Sequence, residues 1–138
     1  MHIVEAGSLK NIRLFEDLSA ETLNSIEQDC NWYQCHINEQ LIDRHSTDLD
    51  LYFLVRGKAR VVNYSLTGRE VSFDDKGAGD YFGELGAIDG QPRSANVVAL
   101  EDMLVARMSR SNFLELISHQ PSIILKIVHG LVKIVRIS

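Results

Sequence analysis

The feature that most limits how this chain can fold is the stretch from residue 31 to residue 108, where short apolar or alternating runs are cut by turn signals. Trp32–Ile37, Gln40–Arg44, Leu51–Arg56, Ala59–Tyr64, Glu70–Asp74, Ala95–Ala99 and Met103–Met108 read as strands. Gly57, Thr67-Gly68, Gly77 to Gly79 and Asp89-Gly90 stand between them, and these residue types favour turns. Many short strands at this spacing predict a mainly β fold, an antiparallel roll or sandwich.

Both ends of the chain read as helix. Ser19, followed by Glu21 and Thr22, starts one, and Leu23, Ile26 and Glu27 continue it at helical spacing to about Cys30. Leu14, Phe15 and Leu18 pack as a short turn before it. Near the other end, Ser109 to Ser111 offer caps for a helix through Phe113, Leu114, Leu116 and Ile117. Pro121 interrupts that helix and opens another, since proline is tolerated in a first helical turn. Ile123, Ile124, Ile127, Leu131, Ile134 and Val135 then form an apolar stripe with Lys126, Lys133 and Arg136 off it. This helix ends apolar and uncapped, so the natural protein is expected to continue. The expected plan is one domain over 1–138: an N-terminal helical part over 1–30, a roll over 31–108, and C-terminal helices over 110–138.

Composition narrows the partners. A net charge of −5 argues against this segment gripping a nucleic-acid backbone by itself. A bound anion is still allowed, because a pocket needs only local positive potential. Met1 to Lys10 lack the basic start and apolar core of a secretory leader. Lys126, His129, Lys133 and Arg136 break the last apolar run, so no membrane span is expected. Cys30 and Cys35 make no disulfide framework, and a reducing cytoplasm is the simplest location. Their spacing is also wrong for a C-x₂-C metal hook. With His36 and His45 they read as structural or surface residues, and no metal is expected.

The chemistry is concentrated in the loop from Tyr81 to Ala95, which contains Gly83, Gly86 and Gly90. Glycines let backbone amides approach a ligand closely. A helical turn over Glu84 to Ile88 would present free N–H groups at its start, where an anion, phosphate above all, is favoured. Arg93 adds a permanent charge whose planar fork matches two phosphate oxygens. Glu84 would repel a phosphate placed beside it, but it can accept hydrogen bonds from a sugar hydroxyl attached to that phosphate. A donor for phosphate and an acceptor for ribose on one loop describe a nucleotide site.

Phe82-Gly83-Glu84-Leu85 followed by Pro92-Arg93-Ser94-Ala95 resembles the phosphate-binding cassette, here 82–95, of cyclic-nucleotide-binding domains, in particular the cAMP receptor (catabolite activator / Fnr) type of bacterial regulator. The resemblance spans nearly the whole chain and implies a jelly roll with an N-terminal helix and two closing helices. It implies that Glu84 accepts the ribose 2′-hydroxyl and that Arg93 pairs with the cyclic phosphate. Backbone amides of Gly83, Leu85 and Ala95 would line phosphate and ribose, helped by the Ser94 hydroxyl, and Val61 and Phe73 would face the base. Ser138 falls near where the long helix of the family touches the purine.

The ligand implied is cAMP, with cGMP or a dual response as the alternative, because a hydroxyl at Ser94 can also help hold guanine. The last helix is expected to form a homodimer. DNA contact would belong to a C-terminal domain outside these residues, as in a transcription regulator. Two other classes stand beside this one: a ligand-free dimerisation module, and a small metal-dependent jelly-roll enzyme. Asp48 and Asp50, or Asp74 and Asp75, could be imagined as catalytic carboxylates, but no organised nucleophile or base accompanies them, so no enzyme activity is expected.

Overall fold

The computed structural model describes all residues except Arg44, Leu66, Gly68 and Ser138, and for Glu70, Val71 and Ile137 it describes the backbone only. The expectations for Arg44 as a strand end, Gly68 as a turn and Ser138 as a purine contact lie outside the described residues. Among the described residues the strands are β1 (His2–Ile3), β2 (Asn31–Cys35), β3 (Gln40–Ile42), β4 (Leu51–Arg56), β5 (Lys58–Tyr64), β6 (Glu70–Gly77), β7 (Tyr81–Phe82), β8 (Ala95–Ala99) and β9 (Met103–Met108). The helices are α1 (Ala20–Asp29), α2 (Glu84–Asp89), α3 (Arg110–His119) and α4 (Pro121–Ile137), with a 3₁₀ turn at Arg13–Phe15.

The strands form two antiparallel sheets, one of five strands in the order β1-β2-β9-β4-β7 and one of four in the order β3-β8-β5-β6. This is the antiparallel roll with flanking helices that the short runs predict. Its core has two halves, divided by the larger sheet. Successive side chains of a strand point to opposite faces. In β4, Leu51 and Phe53 pack with Phe15, Ile26, Phe113, Ile123 and Ile127 on the helical side. Tyr52 and Leu54 pack with Ala59, Val97 and Ala99 between the sheets. The unbroken apolar run Leu51–Leu54 is thus a strand buried on both faces.

Capping follows local chemistry. The Ser19 hydroxyl accepts the Thr22 amide and starts α1, and the Ser109 hydroxyl accepts the Asn112 amide and starts α3. Pro121 is the first residue of α4, where its missing N–H costs no helical bond. Four strands depart from the sequence reading: β3 ends at Ile42, short of the expected bound, and β5 begins one residue early at Lys58. β2 stops at Cys35 rather than Ile37, because the chain turns through Asn38, which takes a φ of 72°. β6 runs past Asp74 to Gly77, because Asp75 and Lys76 pair in register with Arg60 and Ala59 of β5. The two-residue strands β1 and β7 carry no periodicity from which they could be read.

Candidate functional site

The loop that carries the glycines leaves the larger sheet and enters the smaller one. Its start is pinned by β7, where Phe82 pairs with Tyr52 of β4 and their rings stack 5.3 Å apart and nearly parallel. Gly83 then takes a φ of 90° and turns the chain into α2, and Gly90 ends that helix at a φ of 70°. Pro92 and Arg93 lead into β8, and the Ser94 carbonyl accepts the Tyr64 amide of β5 at 3.1 Å. Only glycine adopts the Gly83 conformation without strain. Space makes the same demand: a Cβ there would sit 2.8 Å from the Asp50 carbonyl oxygen and 3.0 Å from Arg93 Nη1.

Arg93 is the one charged residue among the described residues that is buried, at 8% exposure. Such a charge is stable only when its donors are satisfied. Nη1 donates to the Gly83 carbonyl at 3.0 Å, and Nη2 donates to the Asp50 carbonyl at 2.8 Å and to Asp48 Oδ2 at 3.1 Å. Nε is buried with no hydrogen-bond partner. Asp48 also accepts the Tyr52 hydroxyl at 3.3 Å and lies 3.7 Å from Arg107 Nη2. Arg107 Nε donates to Asp50 Oδ2 at 2.6 Å, and the Arg110 amide at the start of α3 donates to Asp50 Oδ1 at 3.3 Å. Burial opposes the charge of Arg107, but its bond to Asp50 and the nearby acids outweigh that and push its pKa up. Burial, with the adjacent Asp48 charge, raises the Tyr52 phenol.

Glu84 opens α2 half-buried. The Tyr81 phenol is pushed up to about 12, first by burial and then by the Glu84 charge. In the first turn of a helix the amides have no intrahelical acceptor, so the backbone around Glu84 and Leu85 offers donors.

Beside this loop lies a cavity of about 1320 Å³. Its walls are the loop, the inner face of the four-stranded sheet and, from α4, Leu131 and Ile134. Gly83, Glu84, Leu85, Arg93, Ser94, Ala95, Val61 and Phe73 all border it, so the eight residues singled out from sequence come together around one space. Phe73 needs a correction. Val61 stands opposite Val97 and Asp74, whereas Phe73 stands opposite Val62, so the pleat turns their side chains to opposite faces. The Phe73 ring is on the outer face with Arg60 over it at 4.5 Å, and the residue is 59% exposed. Inward with Val61 point Asn63, Ser72 and Asp74, which also border the cavity. The alternation of β5 carried that signal for Asn63, two residues after Val61.

Sequence reasoning weighed Asp48 and Asp50 only as catalytic carboxylates and missed their contacts with Arg93. Nothing in a loop aspartate announces a partner 45 positions away. The buried guanidinium with its Nε and one Nη1 donor left over, the amides of α2 and the Glu84 carboxylate, all on one cavity, fit an anionic ligand that also carries hydroxyl groups. Among the described residues no group of His, Cys, Asp and Glu could hold a metal ion. Cys30 and Cys35 are buried thiols pushed up to about 12 and about 11, chiefly by burial, and stay protonated.

Fold and site together define a ligand-binding β-roll with a glycine-and-arginine loop at its pocket. The chain belongs to the cyclic nucleotide-binding domain family, whose model matches residues 37–120. It is 31% identical over 113 residues to the cAMP-activated global transcriptional regulator CRP of Pasteurella multocida, covering 76% of this chain and 54% of that protein. It is 28% identical over 109 residues to the cAMP-dependent protein kinase regulatory subunit of Candida albicans, covering 79% of this chain and 23% of that one. The catabolite activator protein of Thermus thermophilus has a similar structure, with a TM-score of 0.76 at 26% identity over 89% of this chain and 58% of that chain. The chain thus spans about half the length of the bacterial relative and about a quarter of the kinase subunit. Membership makes a cyclic nucleotide the class of ligand this site is built for.

Proposed function

We propose that this chain is a cAMP-sensing domain, the regulatory part of a bacterial transcription regulator whose DNA-binding part lies outside these residues. The observation that carries the reading is the junction of Gly83, Glu84 and buried Arg93 at one cavity wall. In this reading Arg93 pairs with the cyclic phosphate, and amides of Gly83, Leu85 and Ala95 with the Ser94 hydroxyl line phosphate and ribose. Glu84 accepts the ribose 2′-hydroxyl, Val61 packs on the base, and Phe73 contributes only the rim. The cAMP-activated regulator and the cAMP-dependent kinase subunit among the relatives favour adenine over guanine. The domain senses rather than catalyses and works in the cytoplasm.

Signal transfer in this reading is a population shift. Leu131 and Ile134 of α4 border the same cavity, so a ligand that binds better when α4 lies over it favours that placement. The rest of α4 supports a homodimer: Leu125, Val128, Val132 and Val135 are exposed along it. Sedimentation velocity on the chain, compared with a Leu125→Glu, Val132→Glu variant, tests this, and a wild-type monomer rejects it.

The decisive experiment is calorimetric titration of cAMP and cGMP into the wild type and Arg93→Ala. Binding that favours cAMP and weakens by about tenfold to a hundredfold in the variant is expected, since a charge-assisted contact is worth roughly 1.5–3 kcal/mol. Binding that is absent, or indifferent to the substitution, rejects the receptor reading. A preference for cGMP revises only the base.

A further inference from the structure

The way Arg93 is held has a consequence for how tightly the site binds. A guanidinium has five N–H donors, and it offers two edges on which an anion can be gripped by two donors at once. One edge combines Nε with Nη2, and the other combines Nη1 with Nη2. Both therefore need Nη2. In this chain both Nη2 donors are committed, one to the Asp50 carbonyl at 2.8 Å and one to Asp48 Oδ2 at 3.1 Å. The donors left are Nε, which has no partner, and one on Nη1, and these do not share an edge.

We propose that Asp48 competes with the ligand's phosphate for Arg93 and so lowers the affinity of the site from within. This rests on the receptor reading above. For a two-donor grip, one partner of Nη2 must yield. The Asp50 carbonyl belongs to the backbone just before β4 and is fixed by the fold. Asp48 is a side chain in the preceding loop, with 24% of it exposed, and it has somewhere to go. Arg107 Nη2 is 3.7 Å from the same oxygen and the Tyr52 hydroxyl already donates to it. A phosphate arriving at Arg93 also repels the Asp48 carboxylate, which pushes the exchange the same way. Asp48 keeps the buried guanidinium compensated when no phosphate is present, then transfers to Arg107 when one arrives. The energy of breaking its bond to Arg93 is subtracted from binding.

The test uses the sign of the effect. Asp48→Asn keeps a hydrogen-bonding side chain of the same shape but removes the charge. Titrated with cAMP by calorimetry, it is expected to bind about tenfold more tightly than the wild type, with the gain absent for Arg93→Ala combined with Asp48→Asn. A residue with only a structural role would lower affinity when changed, never raise it. Affinity that is unchanged or weaker in a variant with the wild-type melting temperature overturns the proposal.

Should Asp48→Asn fail to fold, a crystal structure of the wild type with cAMP decides. Asp48 is expected within hydrogen-bond distance of Arg107 and out of reach of Arg93. An intact Asp48–Arg93 pair with phosphate bound overturns the proposal. If the folded wild type and Asp48→Asn both ignore cAMP and cGMP, the receptor reading itself falls and the competition with it. Wild-type binding without the gain removes the competition alone.

Discussion

The two sheets of this roll differ in what they do with their faces. The five-stranded sheet is covered on both: residues of β4 alternate between the helical core and the space between the sheets, and Leu51, Tyr52, Phe53 and Leu54 are all buried. The four-stranded sheet is covered on one face only, and part of that face is left to a cavity. Its inner side presents Val61, Asn63, Ser72 and Asp74 to that space, while Arg60, Phe73 and Asp75 lie outside. The difference separates two tasks. Stability is concentrated in a sheet that, among the described residues, reaches the cavity only through Phe82 of β7, and the cavity wall is carried by a sheet whose side chains contribute less to the core. The loop from Tyr81 to Ala95 joins them, and Arg93 is fixed to the stable side through Asp48 and Asp50.

The comparison is broken most forcefully in the larger sheet. Phe53 is fully buried and its ring lies 4.8 Å from that of Phe15. Phe53→Ala is expected to cost about 3–5 kcal/mol in denaturant-induced unfolding, because it removes a large side chain and leaves a cavity. At a temperature where the variant is still folded, its affinity for cAMP should match the wild type.

Arg93→Ala is the converse. Its main effect, the tenfold or greater loss of cAMP affinity described above, is measured by calorimetry on protein whose circular dichroism stays native. Gly83→Ala crosses the boundary between the two tasks. At a φ of 90° a side chain costs about 1–3 kcal/mol, and the added methyl collides with the Asp50 carbonyl and the Arg93 guanidinium. Both melting temperature and affinity should therefore fall, by differential scanning fluorimetry with and without cAMP. The smallest effect belongs to Phe73→Ala on the outer face. It is expected to change stability by no more than about 0.5 kcal/mol and to leave affinity unchanged. A marked loss of binding would mean that the ring turns inward around the ligand.

Legibility in the sequence followed the range of the interactions. Ser19 and Ser109 mark helix starts through bonds to the amides three positions on, and Pro121 marks one through its missing N–H, so all three could be read directly. The run Leu51–Arg56 and the segments Ala95–Ala99 and Met103–Met108 have the bounds expected for them, since each is closed by turn residues. The cassette residues could be read because their spacing along one loop is itself the signal. Which face a strand side chain takes was less legible. Phe73 and Val61 both look like apolar strand residues, and only the register Val62 opposite Phe73 reveals that they diverge. The groups that hold Arg93 were illegible. The Asp48 carboxylate and the Asp50 backbone carbonyl meet it only because β4 and the loop before β8 converge in space.

The central claim is that the loop at the smaller sheet, and not the rigid core, receives a cyclic nucleotide. Backbone amide NMR during a cAMP titration of the wild-type chain tests it most directly. The expected result is a saturable shift of the Gly83, Glu84, Leu85 and Ala95 amides, with Phe53 and Leu54 barely moving. Amides of the loop that stay in place at saturating cAMP and cGMP, or shifts confined to α1 and the larger sheet, would contradict it.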